Sequence, residues 1–197
     1  MRLPRKGPVY ESAPREYRLM RAYGLPSRYW DVSVEDGRAL TKHVRTIGYT
    51  RPYNNKLLQV TVPKQKELIE ELLTSEAALR KSRTIGIGSV PTDELAMALV
   101  AAIMRRTREL KMRPLCLSMS QYPSDVSHEP DVVVLHNLMP DCHSMRVQVC
   151  RDWLDRFDDT LRIIVVAGSD PYTFCHTRLF CPLDAALYLE GELREDL

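Results

Sequence analysis

Residues 84–103 read TIGIGSVPTDELAMALVAAI, and the fold of the chain turns on this run. A short apolar segment from Thr84 to Ser89, a turn and a long Ala/Leu-rich helix follow one another with no linker, as in a mononucleotide-binding strand-loop-helix unit. Its chemistry does not match that shape. A phosphate cradle needs glycines that let backbone N–H groups close around the phosphates, a lysine to neutralise them, and a Ser or Thr hydroxyl for magnesium. Gly86, Gly88 and Ser89 are present, but Pro91, Thr92 and Asp93 stand where the last glycine, the lysine and the hydroxyl belong. Proline removes a donor, and Asp93 sets a carboxylate where a helix N-terminus would otherwise attract an anion. Gly86, Gly88, Ser89, Thr92 and Asp93 are therefore expected to keep the path of a cradle and to leave it empty.

Upstream of this run, PKQKELIEELLTSEAALRK (Pro63 to Lys81) has proline at a helix start and Leu68, Ile69, Leu72 and Leu73 on one stripe. Downstream, Leu95, Leu99, Ala102 and Ile103 recur at helical spacing, and the helix closes on RRTRELKMR, Arg105 to Arg113. PLCLSM, Pro114 to Met119, predicts the next strand. DVVVLHNL, Asp131 to Leu138, has the unbroken apolar character of a buried parallel strand. In hydrolases built this way the end of that strand carries carboxylates that hold magnesium and polarise water; here His136 and Asn137 occupy those places. A helix over about Ser144 to Phe157 is expected to bury Val149, Cys150, Trp153, Leu154 and Phe157. RIIVVAGSDPYTF then predicts a strand with Ser169 or Asp170 at the cleft, and Ala185 to Leu189 a last one. Strands alternating with helices predict α/β layers around a mostly parallel sheet.

Before Pro63 the pattern is weaker. Residues 1–36 read as a basic, aromatic arm with a short helix near Pro14 to Tyr23, anchored by Tyr29, Trp30 and Val32; residues 37–197 read as the α/β domain. Within the latter, Arg38 to Ile47 predicts a helix and Tyr53 to Val62 an irregular or short-strand segment.

Hydrophobic residues make up 44% of the chain and charged residues 27%, ordinary for a globular domain. No apolar run reaches the roughly 20 residues needed to span a bilayer, and MRLPRKGPVYE lacks the apolar stretch of a secretion signal. A cytoplasmic location with no membrane partner is expected. The 5 cysteines have neither disulfide-scaffold nor zinc spacing. Cys142-His143 and Cys175-His176, with Cys150 and Cys181, form only a loose set, so buried or incidental cysteines are expected rather than a metal site. Residues 1–113 carry 22 Lys/Arg against 12 Asp/Glu, a balance of +10, and residues 114–197 carry 6 against 14, a balance of −8. Such polarity suits a basic face for nucleic acid or an acidic partner. Arg15, Arg18, Arg28 and Trp30 in the arm and Arg105, Arg106, Arg108, Lys111 and Arg113 at the helix end are the candidate contacts. Arginine and aromatic residues interleaved can stack on single-stranded bases; packing against the domain is the competing use.

These segments, in this order, resemble the DnaC/IstB-type helicase-loader branch of the AAA+ ATPases over roughly Tyr17 to Arg194. GLPSRYWDVSVED, Gly24 to Asp36, looks like the family's G-I-P-x-R-Y/F segment. GIGSVPTDELAMAL aligns without gaps on G-x-x-G-x-G-K-T-x-L-A-x-A-L: Gly86 keeps the first glycine, Leu95-Ala96 keep the helix signature, and Ser89, Pro91, Thr92 and Asp93 replace the rest. VVVLHNL looks like the Walker B strand with its paired acids replaced by His136 and Asn137. RIIVVAGSDPYTF is similar to the sensor strand, with Ser169 and Asp170 at the sensor position, and Arg178 and Arg194 loosely match an arginine finger and a second sensor.

The resemblance implies a three-layer P-loop NTPase-like fold with an AAA+ RecA-like core, here without a C-terminal helical lid domain. It also implies a replicative helicase or another AAA+ subunit as partner, in a hetero- or homo-oligomer, with single-stranded DNA as a further partner. The family's ATP hydrolysis is not implied, because each catalytic position is altered; no catalytic residue, cofactor or metal is expected. The expected function is that of an inactive loader-like protein working in DNA replication or mobile-element DNA transactions by binding. Two alternatives are a structural nucleotide-binding subunit without turnover and an enzyme reusing His136, Ser169, Asp170 and Cys142-His143 in the old cleft.

Overall fold

The computed structural model describes residues 20–50, 57–119, 129–138 and 144–192. Strands β1 (Ile47–Thr50) and β2 (Leu57–Val60) form an antiparallel pair. Helices α1 (Val34–Ala39), α2 (Val62–Thr74) and α3 (Glu76–Leu79) lead to β3 (Arg83–Val90) and α4 (Glu94–Glu109). Then follow β4 (Pro114–Ser118), β5 (Val132–Leu138), α5 (Ser144–Arg156), β6 (Leu161–Ala167), α6 (Pro171–Phe174) and β7 (Ala185–Glu190). The larger sheet is wholly parallel and ordered β4-β5-β6-β3-β7, so β3 lies between β6 and β7.

Both faces of that sheet are covered, which is why its strands read as unbroken apolar runs. Ile85, Ile87, Val132, Val134, Ile163 and Val165 face one core with α2, α4 and the segment from Met20 to Val44. Val133, Leu135, Ile164 and Val166 face a second with Cys150, Trp153 and Leu154 of α5 and with Phe174, Cys175 and Leu179. Helix α4 is buried from Leu95 to Met104 without a break, as a helix sandwiched between a sheet and an outer layer must be.

The helix expected over Arg38 to Ile47 is displaced. Ser33 caps α1 through a reciprocal capping box with Asp36, a 3₁₀ turn follows over Leu40–His43, and Ile47 is already in β1. Val149, expected to be buried, is only partly so.

Residues 20–47 form a strap across the whole sheet. At one edge Cys116 of β4 donates its N–H to the Tyr23 carbonyl (2.7 Å); at the other, Arg45 donates to Tyr188 of β7 (2.9 Å) beside a Val44–Leu189 bridge. Between these points Leu25, Tyr29, Trp30, Val32 and Val34 are buried in the α4-side core. No helix of the described residues is long and apolar enough to cross a membrane.

Candidate functional site

The C-terminal ends of β3, β5 and β6 meet at a cleft of about 660 Å³, where open α/β sheets characteristically bind ligands. Pro91, Thr92, Asp93, Glu94 and Met97 line it from the start of α4, His136 and Asn137 from β5, Ala167 and Gly168 after β6, and Pro26, Arg28 and Tyr29 from the strap. Segments far apart in the sequence thus converge at one end of the parallel sheet.

The turn itself does not follow the path expected of it. Residues 83–90 are all strand, paired with Leu161–Ala167 on one side and Ala185–Glu190 on the other. Gly86, Gly88 and Ser89 therefore stand in the sheet, and only Pro91, Thr92 and Asp93 separate it from α4. Backbone groups committed to a ladder cannot wrap a phosphate. The two glycines serve packing instead. A Cβ at Gly86 would lie 2.5 Å from Leu183 and 2.7 Å from Pro171, and one at Gly88 2.6 Å from the Ser169 carbonyl and 2.7 Å from Pro171. Ser89 is fully buried, and its hydroxyl meets no partner.

Around the cleft the charges answer one another. The Arg28 guanidinium lies 3.5 Å from Asp93 and 3.6 Å from Glu94, with its Cζ 4.7 Å from the centre of the Tyr29 ring. Asp93 stands at the N-cap of α4 but makes no capping hydrogen bond through its side chain. His136 is buried and its Nε2 has no partner. Desolvation holds this imidazole below its usual pKa, partly offset by Asp93, so at neutral pH it offers one donor and one acceptor rather than a charge. Asn137 adopts φ +62°, where Asn is tolerated, at an irregularity that lets Leu138 pair again with Val166. Tyr29 is 99% buried, its relative exposure being 1%. Its hydroxyl lacks a partner at hydrogen-bond geometry, and burial pushes its pKa well up although nearby Arg28 lowers it.

Other sequence candidates fall elsewhere. Asp170 caps α6, accepting from the Tyr172 and Thr173 N–H groups at 3.1 Å each and from the Thr173 hydroxyl at 2.6 Å. Neither it nor Ser169 lines the cleft. An Asp170→Ala variant is expected to lose about 1 kcal/mol, read as a lowered urea midpoint with unchanged slope. Arg178 is exposed on a π-helical turn, Cys175–Leu179, and does not line the cleft either. Arg15, Arg18, Arg194, Cys142 and His143 lie outside the described residues. Among the described residues no group of three His, Cys, Asp or Glu side chains converges as a metal site would require; Cys150 and Cys175 are buried.

The nucleic-acid candidates are largely engaged within the fold. Trp30 is 3% exposed and donates its indole N–H to the Leu25 carbonyl at 2.8 Å, so it cannot stack on a base. Arg105 donates to the carbonyls of Val32 (2.7 Å) and Trp30, clamping the strap to α4. Arg106 pairs with Glu109 at 2.9 Å, and Arg113 holds Asp131 through its backbone N–H at 2.7 Å. Arg108 is half-buried, whereas Lys111 and the Arg113 side chain are exposed at the helix end.

Sequence reasoning missed Tyr29 and Glu94 as cleft residues. Tyr29 reads as one more apolar anchor, and an acid in the first turn of a helix is commonplace. No protein-family model matches the chain, and no curated protein matches it either.

Proposed function

We propose that the chain is a P-loop-like domain of the AAA+ helicase-loader type that neither binds nor hydrolyses nucleotide. In this reading it acts in DNA replication or mobile-element DNA transactions by docking on a partner protein. The observation that carries the reading is the acidic mouth of the cleft: a lysine-less three-residue turn whose Asp93, with Glu94, is met by Arg28. A triphosphate there would face two carboxylates at short range, with His136 and Asn137 supplying no acid for its metal. The parallel sheet with helices on both faces supports the family resemblance, and so does the meeting of the turn after β3 with the Walker B counterparts His136 and Asn137 at one cleft. Because Trp30, Arg105 and Arg106 are engaged within the fold, a protein surface is favoured over single-stranded DNA as the principal partner.

Calorimetry with Mg²⁺-ATP and Mg²⁺-ADP tests the reading. No binding tighter than about 10 µM, roughly 7 kcal/mol, is expected, and Thr92→Lys with Asp93→Thr should still give no hydrolysis. Turnover in either protein would overturn the reading. Co-purification with the replicative helicase of the native host would support the partner assignment, and failure to recover it would count against that assignment.

A further inference from the structure

Two cysteines share the turn between α6 and β7, and the chain bends there so that one returns over the other. The Cys175 carbonyl accepts from the N–H groups of both Phe180 and Cys181, the latter at 3.0 Å. Phe180 makes the reversal by adopting φ +49°, a left-handed conformation that is uncommon for an aromatic residue. In helix endings of this kind the residue after the left-handed one packs its side chain back on the last turn. Cys181 accordingly packs against the apolar cluster that contains Cys175. Residues paired by backbone hydrogen bonds across an antiparallel ladder have α-carbons about 5.5 Å apart, inside the roughly 4.4–6.8 Å that a disulfide spans. A backbone bond of the same kind joins these two.

The two thiols differ in access. Cys175 is fully buried, as is Cys150, the other cysteine of that cluster, on α5. Cys181 is half-buried. Its Sγ lies 3.6 Å from the Pro182 carbonyl oxygen at the surface, and the residue lines two cavities of about 540 and 340 Å³. A small oxidant entering from solvent therefore reaches Cys181 first and finds Cys175 behind it. Burial pushes both thiols above their usual pKa. At Cys181 alone a guanidinium, that of Arg162 in the larger cavity, partly counters this against Asp155 and Asp184. The thiolate, which is the reactive form, is thus more accessible at Cys181.

We propose that Cys181 and Cys175 are a peroxide-responsive dithiol whose closure to a disulfide locks the turn that delivers β7 to the sheet. Hydrogen peroxide is the oxidant. The Cys181 thiolate attacks one peroxide oxygen and the O–O bond breaks; Cys181 becomes a sulfenic acid, and the other oxygen leaves as hydroxide, which takes the proton the thiol had lost and departs as water. Cys175 Sγ then attacks the Cys181 sulfur. The S–S bond forms, the S–O bond breaks, and the expelled hydroxide leaves with the Cys175 proton as a second water. The segment being locked holds the outer strand in place: Leu183 packs over Gly86, the Asp184 N–H donates to the Thr84 carbonyl at 2.9 Å, and Asp184 Oδ2 accepts the Thr84 N–H at 2.7 Å. The device is independent of the nucleotide question at the opposite end of the strands.

The test treats the reduced whole chain with hydrogen peroxide, alkylates the remaining thiols in denaturant, and maps the peptides by mass spectrometry. A Cys175–Cys181 link that dithiothreitol reverses is expected. It should persist in Cys150→Ala and vanish in Cys181→Ser, a substitution at the half-buried position, with Cys175 then recovered as a free thiol. In Cys175→Ala, dimedone should trap Cys181 as its sulfenic acid. The thermal midpoint of the oxidised protein should lie roughly 5 °C above that of the reduced protein. Cys175 recovered as a free thiol after Cys181 has been oxidised, or Cys181 linked instead to Cys150 or to a second chain, overturns the pairing. A midpoint that does not rise on closure overturns the lock.

Discussion

A Gly24→Ala protein is expected to lose about 3 kcal/mol of stability or more, a large part of the 5–15 kcal/mol margin typical of a single domain. Gly24 sits at φ +82°, a region that disfavours any side chain, and an added Cβ would fall 2.1 Å from the Cys116 carbonyl oxygen and 3.2 Å from its carbon. The obstacle is backbone, so no side-chain rotation relieves it. Nor can the chain retreat freely, because the adjacent Tyr23 carbonyl accepts the Cys116 N–H at 2.7 Å. Relief requires the strap to leave β4. Urea denaturation should show a sharply lowered midpoint; a loss below 1 kcal/mol would mean that the strap can step away from β4 at little cost.

The second large effect is expected at Gln65. This side chain is 1% exposed and all its hydrogen-bonding capacity is directed inward. Its Nε2 donates to the Arg45 carbonyl at 2.7 Å and to the Val60 carbonyl at 3.2 Å, and its Oε1 accepts from the Tyr188 N–H at 2.8 Å. One amide thus ties α2 to the strap, to β2 and to the outer strand of the sheet. Gln65→Leu keeps the volume and removes the bonds, leaving a donor and two acceptors without their partner. A loss of about 3 kcal/mol is expected, whereas Lys66→Ala on the exposed side of the same helix should change stability by less than about 0.5 kcal/mol. Equal effects at the two positions would refute the assignment.

Gln65 also shows where sequence reading stops. In PKQKELIEELL it is one polar residue among several, and its neighbours Lys64, Lys66 and Glu67 are indeed exposed; its partners lie 5, 20 and 123 positions away. The parallel strands and the buried helix were legible because burial on both faces leaves continuous apolar runs. The replacement of lysine, hydroxyl and acids was legible because those positions are defined by spacing along the chain. The extended path of residues 86–90 was not. Glycines and small residues suit a cradle and a crowded strand equally, and only the pairing with β6 and β7 and the close approach of Pro171 to the glycines distinguish the two. The basic run from Arg105 to Arg113 likewise looked available for nucleic acid, since nothing local indicates that Arg105 binds carbonyls at Trp30 and Val32. The capping box at Ser33 and Asp36 could have corrected the misplaced helix, because it marks a start at Val34, four residues before Arg38.

The strap has a consequence for how the chain is made. Its last anchor, at Val44 and Arg45, rests on Leu189 and Tyr188, so the strap gains that seat only after β7 has left the ribosome. Until then β3 is a bare rim of the nascent sheet, open to stray strand pairing. The arrival of β7 is what closes it.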